Sequence, residues 1–353
     1  MAGPSPGSVA LSGQGTSLRA YVLTRLGLAI PTVLILLTLV FLLMRVAPGD
    51  PITAALGGRV SAEELEQRRA AAGLDKPLLE QYVEYLGDAL TLDLGTTIND
   101  DREVTSIIVE NGSATMELTL VAFMIALVVG VSIGVLAGRY RDTSIDVGGR
   151  LFGIVVYAAP VFFTGFLAQL FFAGGVLDIL PSSGRTSPVV EFELDKVTHL
   201  YLIDSLIGGS WSDFWDVFTH LILPAVTLGL LISGVLIRLV RVNLLQTMRG
   251  DYVEAARARG VSERRVVINH ALRNAMVPVV TVAGLQFAIL LGGAVLTEQT
   301  FNWPGIGAEL IRYLNERDYI AVQGIITIFA LAVVLISLVI DLINAFIDPR
   351  VRY

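Results

Sequence analysis

Six long apolar segments, separated by polar ones, dominate the pattern of hydrophobic and polar positions along the chain. An α-helix needs about 20 apolar residues to cross the hydrocarbon core of a bilayer, and each of these segments reaches that length. The pattern predicts an all-α polytopic membrane protein with six transmembrane helices, whose expected bounds are 22–44, 114–138, 151–177, 219–239, 275–296 and 320–347.

The composition agrees with this prediction and excludes several kinds of site. Of the 353 residues, 54% are hydrophobic and only 16% are charged, whereas a soluble domain carries about 25% charged residues. The absence of cysteine excludes disulfides, thiolate metal sites and cysteine nucleophiles. Three histidines, His199, His220 and His270, are too far apart in the sequence to show the spacing of a metal site.

Basic residues are concentrated on one side of the predicted membrane topology. The segments 139–150 and 238–274 contain three and eight arginines, and two more arginines lie before the first span and two after the last. Most of the acidic residues fall on the other side. Because loops rich in lysine and arginine stay in the cytosol, both chain termini and the loop 238–274 are predicted to be cytosolic.

The chain divides into three predicted regions. Residues 1–18 are rich in glycine, serine and proline and carry no charge, which is typical of a disordered tail, here on the cytosolic side. Residues 19–113 comprise the first span and a structured external segment. Residues 114–353 form a five-helix core that contains the cytosolic loop 241–274.

The external segment 45–113 contains signals for two helices. Ser61 and Glu64 have the spacing of a capping box, and Gly73 would end the helix that they start. Pro77 suits the first turn of a second helix. The apolar residues of that helix are predicted to fall largely on one face: Leu78, Leu79, Tyr82, Val83, Leu86 and Leu90. The segment is either a helical cap packed on the outer ends of the spans or a contact surface for an external substrate-delivering protein.

A second external segment, 178–218, is acidic and contains Trp211 and Trp215. Tryptophan is enriched at membrane–water interfaces. This segment is therefore predicted to lie at or outside the outer interface, before the fourth span begins.

The polar loop between the fourth and fifth spans has the pattern of a short helix closed by glycine. Asp251 and Glu254 have a capping-box spacing, which would start a helix over 252–259. Gly260 would close that helix in the left-handed conformation that glycine adopts readily.

A second helix is predicted to follow the glycine turn. Ser262 can cap it, and Pro278 then enters the fifth span. Ala255 and Ala256 leave the first helix of the loop slim, as a helix must be to lie in the groove of a partner protein.

Several motifs carry a resemblance to a known family. Glu254-Ala255-Ala256, with Gly260 six positions after the glutamate, resembles the signature loop of permease subunits of bacterial ABC importers. Further motifs resemble the dipeptide/oligopeptide branch of that family: Arg45-Val-Ala-Pro-Gly-Asp-Pro51, Gly73-Leu-Asp-Lys-Pro77, Asp93-Leu-Gly95, His270-Ala-Leu-Arg-Asn274, Phe301-Asn-Trp-Pro-Gly-Ile-Gly307, Asp318-Tyr-Ile-Ala-Val-Gln-Gly324 and Asp348-Pro-Arg-Val-Arg-Tyr353. The resemblance covers residues 19–353 and implies the permease fold of type I ABC importers.

The resemblance implies partners as well as a fold. The chain would be one of two homologous permease subunits that form a heterodimeric pathway in the bacterial inner membrane. One or two cytosolic ABC ATPase subunits would bind ATP and Mg, and an external binding protein would deliver di- or oligopeptides. The permease itself would be no enzyme and would hold no cofactor, metal or nucleic acid, in agreement with its lack of a Gly-x-x-x-x-Gly-Lys-Ser/Thr phosphate loop.

The same resemblance implies that the helix 251–260 couples the permease to the ATPase. The coupling residues would be Asp251, Tyr252, Glu254, Ala255, Ala256, Arg257 and Gly260. Glu254 has a second reading as a helix cap, and the two roles are compatible. The nearby arginines either satisfy the positive-inside rule or pair with acidic groups of the ATPase: Arg257, Arg259, Arg264 and Arg265.

Ionisable residues near the spans form the last group of candidates, because a charge in lipid is costly. Glu117 and Glu298 lie near the outer ends of the second and fifth spans. They either line the pore and meet the charged ends of a peptide, or are interfacial carboxylates in water or paired with Arg45. Asp341 in the sixth span is predicted to be a structural partner within the bundle. Small residues of the fifth span permit close helix packing: Gly284, Gly292, Gly293 and Ala294.

Alternative functions remain open at this point. Peptide permeases resemble nickel, glutathione and haem importers, so the substrate is not fixed. A self-sufficient channel or secondary transporter is a different class, and it predicts a buried ion site or internal symmetry, neither of which is evident in the sequence. A membrane scaffold or sensor would normally carry an additional soluble domain.

Overall fold

A computed structural model describes residues 18–46, 53, 61–71 and 73–347. The predicted tail therefore lies outside the described residues except for Leu18, and so do most of the Arg45–Pro51 motif and the motif 348–353. The α-helices of more than three residues among the described residues are, in chain order, α1 (Leu18–Val46), α2 (Ala62–Ala71), α3 (Leu78–Thr91), α4 (Val104–Arg139), α5 (Ser144–Ala158), α6 (Val161–Phe172), α7 (Pro188–Glu193), α8 (Tyr201–Ile207), α9 (Trp211–Thr247), α10 (Asp251–Ala258), α11 (Arg273–Gly293), α12 (Val295–Phe301), α13 (Ile306–Asn315) and α14 (Tyr319–Ile347). A helical turn, Glu263–Arg265, and a π-helix, Val266–Leu272, lie between α10 and α11.

Five of the predicted spans are single long helices in the structure. They are α1, α4, α9, α14 and the helical run Glu263–Gly293, which ends with α11. Three of them begin well before the predicted spans: α4 starts at Val104 rather than at 114, α9 at Trp211 rather than at 219, and the run Glu263–Gly293 at Glu263 rather than at 275. Hydropathy marks only the part of a helix that matches the hydrocarbon core, so it missed these polar amino-terminal turns.

The third predicted span, 151–177, is not one straight helix. It consists of α5 and α6, which meet at an angle of 103° across Ala159 and Pro160. Proline lacks an amide hydrogen and disfavours the helical conformation of the preceding residue, and Ala159 is extended, with φ −72° and ψ 130°. The described residues thus contain five helices that are long and apolar enough to cross a membrane, or six if the bent pair counts as one span.

A stripe of glycines lets α4 and α9 pack closely. Gly130, Gly134 and Gly138 recur every four residues, and a Cβ atom on any of them would lie only 2.5–2.9 Å from a side chain of α9. Small residues at this spacing allow the backbones of membrane helices to approach. These two helices, with α11, carry the main apolar core of the described residues.

The small residues of the fifth span differ in how closely other helices pack on them. A Cβ on Gly284 would lie 2.7 Å from Ile340 of α14, so the predicted close packing is present there. Ala294 is buried. Gly292 and Gly293 have no neighbour within 4 Å of such a Cβ within the described subunit.

The first external segment folds as two helices, α2 and α3, as the sequence predicts. The position of Pro77 and the packing of α3 differ from the expectation. The Glu64 amide donates to Ser61 Oγ at 3.2 Å, and Gly73 has φ +66°, as the sequence predicts. Pro77 is the residue before α3 rather than part of its first turn. The buried residues of α3 are Gln81, Tyr85 and Ala89, whereas four of the aliphatic residues predicted to share one face are exposed: Leu78, Leu79, Val83 and Leu90.

Candidate coupling site

Helix α10 begins and ends through backbone geometry. Gly250 is extended (φ −75°, ψ 145°) and precedes the first helical residue, Asp251. The predicted cap was therefore one position too late, and no side chain caps this helix. At its other end Gly260 adopts φ +74°, the left-handed conformation that the sequence predicts. Glycine is suited to this position because other residues are strained there.

The two faces of α10 have different environments. Val253 and Ala256 are fully buried and pack against Leu244 of α9 and Val266. The opposite face is exposed and consists of Asp251, Tyr252, Glu254, Ala255 and Arg257; we call it the outer face of α10. Ala256 therefore packs inside the subunit, and Ala255 is the alanine on the outer face. That the two alanines make the helix slim enough for a partner's groove stays a prediction.

An ion pair bridges the glycine turn after α10. Arg257 donates to both carboxylate oxygens of Glu263, at 2.7 and 3.1 Å. The hydrogen bond to Glu263 raises the pKa of Arg257. Arg257 thus has a partner in its own chain, while Arg259, Arg264 and Arg265 are exposed.

The segment after the glycine turn is helical without interruption from Glu263 to the end of α11 at Gly293. Ser262 precedes a single helical turn, Glu263–Arg265, but its hydroxyl makes no capping hydrogen bond. That turn runs into a π-helix, Val266–Leu272, and then into α11. Pro278 lies inside α11 rather than at its entry. Short π-helical segments are frequent at functional sites, and this one carries part of the surface on which α10 packs.

A buried ion pair lies close to the site that α10 forms with α9. Arg241 donates from Nε and Nη2 to Asp146, at 2.6 and 2.8 Å. Asp146 is fully buried in the first turn of α5, where Arg150 also approaches it at 3.3 Å. Because Arg241 precedes Leu244 by three residues on α9, the ion pair connects α5 to the part of α9 that supports α10. This pair was not predicted from the sequence, where Arg241 counted only as a cytosolic charge.

Glu117 forms a second buried ion pair at the opposite end of the bundle. Arg185 donates to it from Nε and Nη2, at 3.0 and 2.7 Å, and the Leu202 amide donates to its other oxygen at 2.7 Å. The Arg185 guanidinium also lies 3.6 Å from the centre of the Tyr201 ring. The ion pair between Glu117 and Arg185 therefore holds the segment between α6 and α9 against α4. The partner of Glu117 is thus Arg185, whereas Arg45 donates to Gln81.

Glu298 fixes the turn between α12 and α13. Its carboxylate is fully buried and accepts hydrogen bonds from Thr115 Oγ1 at 2.6 Å and from the Ala308 amide at 2.8 Å. A Cβ on Gly305 or Gly307 would collide with this carboxylate, which explains the glycines of the Phe301–Gly307 motif. In this conformation Glu298 and Glu117 both lie within the subunit; their role in lining a pore stays a prediction.

Asp341 also has a partner in the bundle. It forms an ion pair with Arg25 of α1, with an N–O distance of 3.1 Å. No cluster of three or more potential metal ligands occurs among the described residues.

Comparison with known proteins places these features in a family. A family model described as "Binding-protein-dependent transport system inner membrane component" matches residues 130–353. A second model, "Binding-prot-dependent transport system membrane comp, N-term", matches residues 18–119. Together they cover the bundle, the coupling candidate α10 and the first external segment.

Individual relatives match along nearly their whole length. The dipeptide transport system permease protein DppB of Escherichia coli (strain K12) is 38% identical over 335 residues, which cover 94% of this chain and 98% of the relative. The di/tripeptide transport system permease protein DppB of Pseudomonas aeruginosa (strain UCBPP-PA14) is also 38% identical, with 95% and 99% covered. The glutathione transport system permease protein GsiC of Pectobacterium atrosepticum (strain SCRI 1043) is 35% identical, with 94% and 99% covered. The chain therefore belongs to the family of inner membrane components of binding-protein-dependent transport systems.

Proposed function

We propose that this chain is the transmembrane subunit of an ATP-driven importer of di- and oligopeptides, and that it forms half of the translocation pathway in a bacterial inner membrane. Family membership over most of the chain and the names of the dipeptide and di/tripeptide relatives support this proposal. A channel or secondary transporter that works without ATP is not supported by that membership.

The proposed pathway needs partners. A second, homologous permease subunit would form the other half. One or two ABC ATPase subunits would bind ATP and Mg in the cytosol, and an external binding protein would deliver the peptide. Under the positive-inside rule, the arginine-rich loops support a cytosolic position for both chain termini and α10.

Coupling to the ATPase is proposed to run through α10. The observation that supports this role is that the helix has two different faces. Val253 and Ala256 are buried in the subunit, while the residues of the outer face are exposed in the described subunit. A short helix with one anchored face and one exposed face suits the groove of a partner protein. A push on the outer face would reach α9 through Leu244 and α11 through the π-helix.

A second substrate is favoured by a specific observation. The GsiC relative is named as a glutathione permease and is nearly as similar to this chain as the dipeptide relatives are. Glutathione is itself a tripeptide, so it falls in the same chemical class. Nickel and haem remain alternatives, whereas the relatives described above are named for peptides and glutathione.

Uptake by the reconstituted transporter tests the proposal. Both permeases, the ATPase subunits and the binding protein would be assembled in liposomes, and uptake of a labelled dipeptide would be followed with and without ATP. We expect ATP-dependent uptake that unlabelled di- and tripeptides inhibit, and no uptake when an ATPase-inactive partner is used. Uptake that proceeds without ATP would contradict the importer, and ATP-dependent uptake of nickel or haem in place of peptides would contradict the substrate class.

A further inference from the structure

Helix α3 carries a strip of aliphatic side chains that the described part of the chain leaves uncovered. Leu79, Val83 and Leu90 are 74%, 61% and 81% exposed, and the half-buried Leu86 lies between them. Their spacing of four, three and four residues places these side chains in line along one face of the helix. The strip belongs to a segment that the sequence predicts to be external. Contact of these aliphatic side chains with water would be unfavourable.

The other two faces of α3 are a face buried against the bundle and an acidic face. Gln81, Tyr85 and Ala89 face the bundle and are buried. Glu80, Glu84 and Asp88 recur every four residues on another face, and all three are exposed. Glu84 pairs with Lys76. The helix is therefore amphipathic even after its packing against the bundle is taken into account.

Contacts of two tyrosines place α3 beside the spans rather than beyond their ends. Tyr82 Oη is 2.6 Å from Thr38 Oγ1, and Tyr85 Oη is 2.7 Å from Thr327 Oγ1. Thr38 lies eight residues before the end of α1, and Thr327 lies eight residues after the start of α14. At 1.5 Å per residue each contact lies about 12 Å inside the end of its helix. The predicted spans end at 44 and begin at 320, so the two contacts lie about 9–11 Å inside the apolar segments. Interfacial amphipathic helices bury their apolar face to a similar depth, roughly 5–10 Å.

The chemistry of the strip favours lipid over a protein partner. Its members are all leucine or valine, whereas the centres of protein interfaces are enriched in tryptophan, tyrosine and arginine. The part of α1 that packs on α3 exposes the same kind of side chain at Leu39, Leu42 and Leu43, so both helices carry uncovered aliphatic surface.

We propose that α3 lies in the interface of the bilayer, with its aliphatic strip in contact with acyl chains and its acidic face toward water. This inference goes beyond the transport function and holds for any substrate. It gives the first external segment a fixed depth in the membrane, because α3 also packs on α1 and α14.

Site-directed spin labelling tests the proposal and exploits the absence of cysteine from this chain. Leu79→Cys, Val83→Cys and Leu90→Cys would be labelled one at a time in the transporter assembled with cysteine-free partners in phosphatidylcholine nanodiscs. Glu80→Cys and Gly87→Cys are matched controls on the same helix; both positions are exposed, and a Cβ on Gly87 meets no atom within 4 Å. Collision of each label with apolar oxygen and with a water-soluble nickel chelate would be measured.

The three strip positions are expected to show an oxygen-to-nickel accessibility ratio several-fold higher than the two controls. A ratio equal to that of the controls would show that the strip faces water and would overturn the proposal. Low collision with both reagents would show that another chain covers the strip, and that result would overturn it too. Transport activity of the same preparations is measured separately, so failure of the proposal and failure of the importer function remain distinguishable.

Discussion

Arg241 of α9 holds the carboxylate of Asp146 with two hydrogen bonds, and this buried pair lies one helical turn from the residue that supports α10. The two partners are 95 residues apart in the sequence. Their pairing fixes the start of the bent pair α5 and α6 to the helix on which the coupling candidate rests. A displacement of α10 can therefore reach the bent pair through α9.

Replacing Asp146 tests this connection. Asp146→Asn keeps the shape of the side chain but leaves the Arg241 guanidinium without its counter-charge. Removal of one member of a buried pair costs roughly 3–5 kcal/mol, and we expect the lower end because Arg241 is 16% exposed. The melting temperature in detergent should fall clearly. Asp142→Asn, in an exposed pair with Arg141, is the control and should change stability by no more than about 1 kcal/mol; equal effects of the two substitutions would contradict the role of the pair.

The glycine turn after α10 gives a second prediction. Gly260→Val places a β-branched residue at φ +74°, which costs roughly 1–3 kcal/mol of backbone strain, although no atom lies within 4 Å of the new Cβ. We expect normal amounts of protein in the membrane but a large loss of ATP-dependent uptake. Gly148→Val is the matched control, since its site is equally open and lies in α5 at an ordinary φ. Normal uptake by a well-expressed Gly260→Val variant would refute the coupling role of the turn.

Glu298→Gln separates a structural carboxylate from one that lines the pore. An amide cannot accept all the hydrogen bonds that Thr115 and the Ala308 amide now donate, and a buried donor left unsatisfied costs roughly 1–3 kcal/mol. We expect a lower melting temperature with an unchanged KM for peptide. Glu309→Gln on α13, in a partly exposed pair with Arg312, should have little effect on either quantity. A changed KM at unchanged stability would favour the pore-lining interpretation instead.

Arg185→Lys should loosen the segment between α6 and α9. Lysine cannot reproduce the hydrogen bonds from two guanidinium nitrogens to Glu117 or the stacking on Tyr201. Limited proteolysis of that segment should become several-fold faster. The control is Glu193→Gln at an exposed position of the same segment, which should leave the cleavage rate nearly unchanged; equal acceleration by both would show that the buried pair is not the anchor.

Local signals account for what the sequence predicted well. The apolar runs marked the spans, the capping residue Ser61 and the left-handed Gly73 and Gly260 marked helix ends, and all of these depend on only a few neighbouring residues. The break at Pro160 carried a signal that was overlooked. Yet Pro31, Pro224 and Pro278 lie within continuous helices, so proline alone does not say which span is bent.

Pairings between distant residues could not be read from the same patterns. Glu117 and Arg185 are 68 residues apart, and nothing in the sequence near either residue identifies its partner. The inward position of Ala256 likewise follows from how α10 rests on α9. The spacing of Gly130, Gly134 and Gly138 was a usable signal for close helix packing that was not recognised.

Site-specific crosslinking from α10 tests most directly whether this chain is an ATPase-coupled permease. Single cysteines would replace Tyr252, Glu254 or Ala255 on the outer face, carry a benzophenone maleimide, and be irradiated in the assembled transporter. Phe192→Cys, 90% exposed on α7, is the control at the opposite end of the bundle. We predict adducts with an ATPase subunit from the three outer-face positions and none from position 192. Absence of an ATPase adduct from all three positions, in a complex that still contains the ATPase, would contradict coupling through α10.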